Sequence, residues 1–338
     1  MNYYCGKTIL VTGATGLIGS HLVEHLMSIK NARVIAMGRS EQKLKSLFKR
    51  YITNPLFSYI AQDVAKELPR FKEPLDIIFH AASPIAGELI KNNPVDVIQA
   101  NIIGVNNFLE FLKQQETVTG VKGRLVIFSS AVVYANLFDE NIVVKETDTA
   151  VTGTLDADYA PYSEAKRMIE VLAKAYYRQY GVDSVIGRLS YVYGFSKFYS
   201  NTAFCEFLSN ACDGKNIIIK NFNMEKRDNI FVEDAVEGLL CLGELGKSAE
   251  SYNISSNGEL GNFCAIDEMA GIIVDVVNSI NVAQVKVKYL SKTSDCNKRK
   301  PGILMDNCKI KELGWKLRNT LQQGITETVN QYHIEKRL

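Results

Sequence analysis

The 338-residue sequence has little of what would make it a membrane, disulfide-framed or nucleic-acid-coating protein. No apolar run approaches the roughly 18 residues that a membrane helix requires. The seven cysteines (Cys5, Cys205, Cys212, Cys241, Cys264, Cys296 and Cys308) include no Cys-x-x-Cys pair, and their odd number argues against a complete disulfide framework. A reducing compartment fits that pattern. Charge of one sign is scarcely in excess, with 39 Lys and Arg against 37 Asp and Glu, so neither a nucleic acid nor a membrane surface is expected as partner. Among only four histidines, His21 and His25 lie four apart but lack an evident third ligand. Helix polarity explains them better, and no metal site is expected. Residues 1–6 lack the basic-then-apolar pattern of a secretion signal. The expectation is a cytoplasmic protein with a small-molecule partner.

What is present is a rhythm. From Lys7 to about Gly194, short apolar runs alternate with longer stretches of helical period, which predicts an α/β fold with a doubly wound parallel sheet. The expected strands are 8–12, 33–37, 57–61, 77–81, 124–129 and 184–189. Most are too apolar to have a face in water, as strands covered on both sides must be. Apolar residues three and four apart predict helices over 17–28, 95–113 and 163–180, with further helices at 202–213 and 267–279. Residues 1–194 therefore read as a nucleotide-binding domain with a return segment near 228–256. Residues 195–338 read mainly as a smaller α/β lobe for substrate.

Gly13-Ala14-Thr15-Gly16-Leu17-Ile18-Gly19 follows the first expected strand and opens the first helix, the context a dinucleotide fingerprint requires. Gly13 permits the tight turn, Gly16 admits the pyrophosphate and Gly19 lets the helix pack close, while the helix N-terminus offers N–H donors to the anion. Thr15, Leu17 and Ile18 line the same turn, so a Rossmann-type cofactor site is expected. After the second strand, Met37-Gly38-Arg39-Ser40 has no acidic residue to hold the ribose hydroxyls of NAD. Arg39 instead suits the 2′-phosphate of NADP. NADP(H) is favoured and NAD stays open, a solvated surface arginine being the lesser alternative for Arg39. Asp63 and Val64 after the third strand are candidates for the adenine side, with an exposed loop aspartate as the alternative.

Tyr162 and Lys166 stand four residues apart at a helix start and share one face. A free phenol titrates near ~10, so ionising it near neutrality requires about 4 kcal/mol of preferential stabilisation, which Lys166 and a nicotinamide cation are expected to supply. Tyr162 then serves as general acid or base, and Ser130, just past a strand, hydrogen-bonds the same substrate oxygen. Alone, a Tyr-x-x-x-Lys spacing also describes an ordinary surface pair.

With these motifs the chain resembles the extended short-chain dehydrogenases/reductases, the NAD-dependent epimerase/dehydratase family, nearly end to end. The resemblance includes Phe79-His80-Ala81-Ala82-Ser83, Asn101, Ser129-Ser130-Ala131-Val132-Val133-Tyr134, Arg188-Leu189-Ser190-Tyr191-Val192-Tyr193-Gly194, Arg227-Asp228, Arg299 and Leu313-Gly314-Trp315. It implies that Ala81, Ala82 and Asn101 adjoin the cofactor. It also implies a nucleotide-activated sugar as substrate, held by Ser83, Ser130 and Tyr191, with Arg227 and Arg299 near its phosphates. Family members that dehydrate carry an acidic pair, and those that decarboxylate a glutamate, where this chain has Ala131 and Val132. Tyr191 replaces an asparagine common in epimerases. With Arg39, these departures favour an NADPH-dependent reductase of a 4-keto nucleotide sugar. An NAD-dependent epimerase and a non-catalytic dinucleotide sensor or scaffold are the alternatives. The resemblance further implies a homodimer formed through the helices that carry Asn101 and Lys166. Specificity is expected in the segments 87–94, 136–158 and 195–201.

Overall fold

Every residue of the first strand, β1 (Thr8–Thr12), is buried, and its apolar side chains enter two separate cores. Ile9 and Val11 pack on one side and Leu10 on the other, because successive residues of a strand point to opposite faces. A strand covered on both faces has no polar side, which is why this segment reads as unbroken apolar sequence. In this computed structural model the described residues are 3–84, 87–134, 142–148, 154–198, 202–219, 225–280, 284–290 and 302–337.

The chain proceeds through α1 (Leu17–Ser28), β2 (Arg33–Gly38), α2 (Glu41–Leu47), β3 (Phe57–Ala61), β4 (Ile77–His80), α3 (Gly87–Asn92), α4 (Pro94–Thr119) and β5 (Arg124–Ser130). It continues with β6 (Ile142–Val144), α5 (Ala160–Tyr180), β7 (Asp183–Leu189), β8 (Tyr191–Tyr193), α6 (Ala203–Cys212), β9 (Ile217–Ile219), β10 (Arg227–Phe231), α7 (Val232–Leu245) and β11 (Ser251–Ile254). The last elements are β12 (Phe263–Cys264), α8 (Ile266–Ile280), β13 (Val287–Tyr289), β14 (Ile303–Met305), α9 (Cys308–Glu312) and α10 (Leu321–Arg337).

Seven strands form one wholly parallel sheet in the order β11-β7-β5-β4-β1-β2-β3. From β1 the chain winds outward to β2 and β3, then returns to lay β4 on the opposite side of β1. That reversal opens a crevice at the carboxyl ends of β1 and β4, where open α/β sheets bind ligands. Leu22, Val23 and Leu26 of α1 and Val236 and Leu239 of α7 cover one face. Val105, Phe108, Leu109 and Leu112 of α4 and Ile169 and Ala173 of α5 cover the other. The doubly wound sheet predicted from the sequence is thus present.

Two differences have local causes. Helix α4 runs six residues past the expected 113, to Thr119, before Gly120 ends it in a left-handed conformation (φ 73°). Its last turns lack an apolar stripe, but Gln115 is buried there and bonds both backbone groups of Leu75. The edge strand β11 was not expected, since Ser251 and Asn253 interrupt its apolar pattern. Both are nonetheless buried and hydrogen-bonded. Beyond the sheet, Phe204, Phe207 and Leu208 of α6, Met269 and Ile273 of α8, and Ile325 and Val329 of α10 join the same apolar cluster as α1 and α7. The C-terminal elements therefore share a core with one face of the sheet. Among the described residues, no helix is long and apolar enough to cross a membrane.

Candidate active site

The turn after β1 is shaped by contacts only glycine allows. Gly13 has φ 61°, and a Cβ there would lie 2.6 Å from the Ala81 carbonyl oxygen at the end of β4. A Cβ on Gly19 would collide with the Gly13 carbonyl. Gly16 caps α1 with extended geometry (φ −83°, ψ 174°), and its N–H donates to the Gly13 carbonyl at 2.9 Å. No side chain caps α1 and no acidic residue lies in its first turn. Its leading N–H groups are thus directed at the crevice without competing side-chain acceptors, an arrangement that fits a dinucleotide pyrophosphate.

The neighbouring cofactor candidates fall around that turn. Thr15 packs beside Gly38, with its Cγ2 3.5 Å from where a Gly38 Cβ would stand, and Leu17 and Ile18 are half-buried at the start of α1. Arg39 is exposed just past β2, and Ser40 caps α2 by accepting the Lys43 N–H at 3.3 Å. Asp63 uses Oδ1 to accept the Ala65 N–H at 2.9 Å, so this oxygen locks its own turn. Val64 is buried, and its carbonyl accepts from Asn107 at 2.9 Å. The Ala82 N–H donates to the Thr12 hydroxyl at 3.2 Å, tying the end of β4 to the end of β1.

Opposite the glycine turn, β5 ends at Ser130 and α5 begins two residues before Tyr162, with Pro161 in its first turn. The Tyr162 phenol is hydrogen-bonded to the hydroxyls of Ser130 and Ser83. Ser83 in turn donates to Asn101 Oδ1 at 2.9 Å, and the Asn101 amide donates back to the Val97 carbonyl at 2.8 Å. The buried amide of Asn101 thus links Ser83 to its own helix.

Lys166 lies one turn beyond Tyr162 and is only 3% exposed. Its Nζ donates to the Phe128 carbonyl at 2.6 Å and sits 5.6 Å from the centroid of the Tyr162 ring. Burial pushes its pKa down to about 7, partly offset by Glu170. The phenol is held above its ordinary value because burial outweighs the Ser130 and Ser83 hydrogen bonds, and Tyr191 adds to the rise. The Lys166 ammonium points at the Phe128 backbone carbonyl and is not among the groups that shift the phenol here.

On the substrate side, Tyr191 is 47% exposed, and the Arg227 guanidinium lies 4.7 Å from its ring centroid. Arg299 lies outside the described residues, as do parts of the segments expected to carry specificity. Sequence reasoning missed the buried assembly under the site. Glu170, one turn past Lys166, accepts Ser129 Oγ at 2.5 Å and pairs with Arg188 at 2.7 Å. Arg188 also donates to the Tyr134 hydroxyl at 2.7 Å, and that hydroxyl donates to Asn253 at 2.7 Å. The available signal was a carboxylate in register with Ile169 and Ala173 on the apolar face of α5. His21 also departs from the reading by helix polarity. It bonds Glu233 and the Phe195 carbonyl, whereas His25 does stand in the last turn of α1. Among the described residues, no three His, Cys, Asp or Glu side chains converge as a metal site.

The sequence profile of the NAD dependent epimerase/dehydratase family matches residues 9–255, from β1 through β11. The chain belongs to this family. UDP-glucuronic acid decarboxylase 6 of Arabidopsis thaliana is 31% identical over 322 residues, covering 94% of this chain and 86% of that protein. Among solved structures, the epimerase Mth375 of Methanothermobacter thermautotrophicus superposes with a TM-score of 0.81 at 24% identity, covering 99% of this chain and 94% of that one. The dTDP-glucose 4,6-dehydratase of Bacillus anthracis, solved with NAD, gives 0.78 at 20% identity, with 98% of each chain covered. At such identities the structural likeness speaks for the fold, whereas the profile match places β1, the glycine turn and the Tyr162–Lys166 helix within one family framework.

Proposed function

We propose that this chain is an oxidoreductase of nucleotide-activated sugars that reduces a 4-keto sugar with NADPH. The observation that carries the reading is the pair Ala131 and Val132, directly after Ser130 and half-buried beside the site. Neither side chain can move a proton, so the routes in which family members eliminate water or carbon dioxide lack their carboxylate here. Simple hydride exchange at one carbon needs only Ser130, Tyr162 and Lys166. Two of the relatives named above, the decarboxylase and the dehydratase, carry names of UDP- and dTDP-linked sugars, and Arg227 beside Tyr191 supplies a guanidinium suited to such a diphosphate.

Bound nicotinamide would supply the hydride. The protein's part is to hold and protonate the oxygen. Ser130 donates a hydrogen bond to the ketone oxygen and polarises it, and Tyr162 passes its proton to that oxygen as it becomes an alkoxide. A phenol held above its ordinary pKa stays protonated at neutral pH, which suits a proton donor in a reduction. Ser83, fixed by Asn101, keeps the phenol aimed, and Lys166 is assigned to the nicotinamide ribose. Arg39, exposed beyond β2, favours NADPH over NADH.

The same three residues also suffice for an epimerase, because oxidation and re-reduction at one carbon need no further carboxylate. The two readings separate on cofactor use. An epimerase copurifies with NAD and shows no net cofactor consumption, whereas a reductase bleaches NADPH absorbance when given a 4-keto nucleotide sugar. Tyr162→Phe should lower that rate by about 100-fold or more. Full activity in that variant would overturn the role assigned to the phenol.

A further inference from the structure

His21 stands one turn past the glycine-rich loop on α1, and both of its ring nitrogens have partners. Nδ1 lies 2.6 Å from Glu233 Oε1 in the first turn of α7, and Nε2 lies 3.0 Å from the Phe195 carbonyl oxygen. Both partners are acceptors and a neutral imidazole donates from only one nitrogen, so the two contacts favour the imidazolium. Burial opposes the charge, but Glu233 and the Phe195 carbonyl outweigh it and raise the pKa.

Phe195 begins a stretch, 195–198, that leaves β8, the strand of Tyr191, and crosses to the cofactor half. At its root, a Cβ on Gly194 would be 3.5 Å from the side chain of Leu17, a member of the glycine turn. At its far end, Lys43 of α2 lies 5.0 Å from the Phe198 ring centroid. Between them, Ser196 bonds the Phe198 carbonyl at 3.1 Å, and Lys197 pairs with Glu335 of α10 at 2.5 Å. The stretch therefore touches both helices that rise from the carboxyl ends of β1 and β2, the two that flank the pyrophosphate and adenosine ribose of a bound dinucleotide.

We propose that residues 195–198 form a strap over the cofactor, and that His21 is the positioning residue that fastens it and so slows cofactor release. The proposal rests on dinucleotide binding at the glycine-rich turn. A reductase must release spent cofactor in every cycle, and the fastening of this strap then bears on turnover, because release of product or cofactor limits many enzymes.

The test is to load the full-length protein with NADPH, and separately with NADH, and to follow dissociation by the loss of nucleotide fluorescence on displacement. Wild type, His21→Gln, Glu233→Gln and Phe198→Leu are compared, with a thermal midpoint for each. His21→Gln and Glu233→Gln should speed dissociation about tenfold or more, the scale of one charge-assisted hydrogen bond. Phe198→Leu, which removes the ring beside Lys43 and leaves the catalytic residues and the glycine turn intact, should speed it several-fold at an essentially unchanged midpoint. The cofactor KM should rise in all three without a fall in kcat. Dissociation within twofold of wild type in Phe198→Leu, or acceleration only in variants that also lose thermal stability, would overturn the strap. Failure of the wild type to bind either dinucleotide would overturn the cofactor assignment and the strap together.

Discussion

A half-buried phenol beside two serine hydroxyls, with a buried amine one helical turn away, is the smallest unit on which the proposed chemistry depends. Its surroundings keep it protonated, since burial raises its pKa, and the protonated phenol is the form the proposed reduction needs. Cofactor choice is likewise argued at one residue. Arg39→Asp should weaken NADPH binding by about 10- to 100-fold and improve NADH relative to it, measured by titration of nucleotide fluorescence. An unchanged ratio would make Arg39 an ordinary surface residue. His80 gives a prediction in pH. Burial, with Lys166 nearby, pushes its pKa down to about 3, so it is neutral in the folded protein, while the unfolded chain titrates near ~6.5. Between those values the unfolded state binds more protons, and stability falls as pH drops through about 6.5. By about pH 5 the loss is on the order of 2 kcal/mol. His21, with a raised pKa, acts on the other side of about 6.5, its stabilisation being present below that pH and lost as pH rises through the folded value. His80→Asn should therefore lose less stability than wild type between about pH 7.5 and 5 in urea unfolding.

At the level of elements, the site is held by what ties α5 to the sheet. Glu170 accepts from Ser129 of β5, Ser251 of β11 and Arg188 of β7, so a single carboxylate joins the helix of Tyr162 and Lys166 to three strands. The ion pair is buried, and removing one partner strands the other charge. Glu170→Gln is expected to cost about 3 kcal/mol or more in denaturant unfolding. Replacing both Glu170 and Arg188 by methionine should cost distinctly less, because no unpaired charge remains. Equal losses in the two variants would argue that packing alone, not charge, holds α5. The glycine turn is the matching constraint on the cofactor side. Gly13→Ala places a Cβ against the Ala81 carbonyl and strains a positive φ, so dinucleotide binding should be lost together with about 2 kcal/mol of stability.

For the whole molecule, the outer surfaces of α4 and α5 are the informative feature. These helices lie side by side, joined by Tyr176 to Asn106 at 3.0 Å and by Lys113 over the Tyr180 ring. Val95, Ile98 and Ile103 of α4 and Met168, Val171 and Tyr177 of α5 are exposed there. A shared apolar stripe of this kind suits a self-complementary interface with a second copy of the chain. The expected particle in sedimentation is a dimer of the 37.7 kDa chain. Val171→Glu should shift it to monomer while leaving the fold intact by circular dichroism. A wild-type monomer at micromolar concentration would remove this reading.

The amino-acid order by itself determined the strands of the sheet that are covered on both faces, the helices with a clean apolar stripe, the glycine turn and the Tyr162–Lys166 spacing. Each of these leaves a pattern of residue types within a few neighbouring positions, even where, as for Gly13 against Ala81, the contact that requires it is distant. What only the tertiary structure decided involves partners far apart in the chain. Ser251 and Asn253 are tolerated in a buried strand because Glu170 accepts the Ser251 hydroxyl, while Tyr134 and the Val144 and Asp306 carbonyls satisfy the Asn253 amide. Asn101 serves Ser83, Lys166 turns to the Phe128 carbonyl, and His21 meets Glu233 more than two hundred residues away. A buried polar group must find a partner wherever the fold supplies one, and nothing in its own neighbourhood of sequence says where that will be.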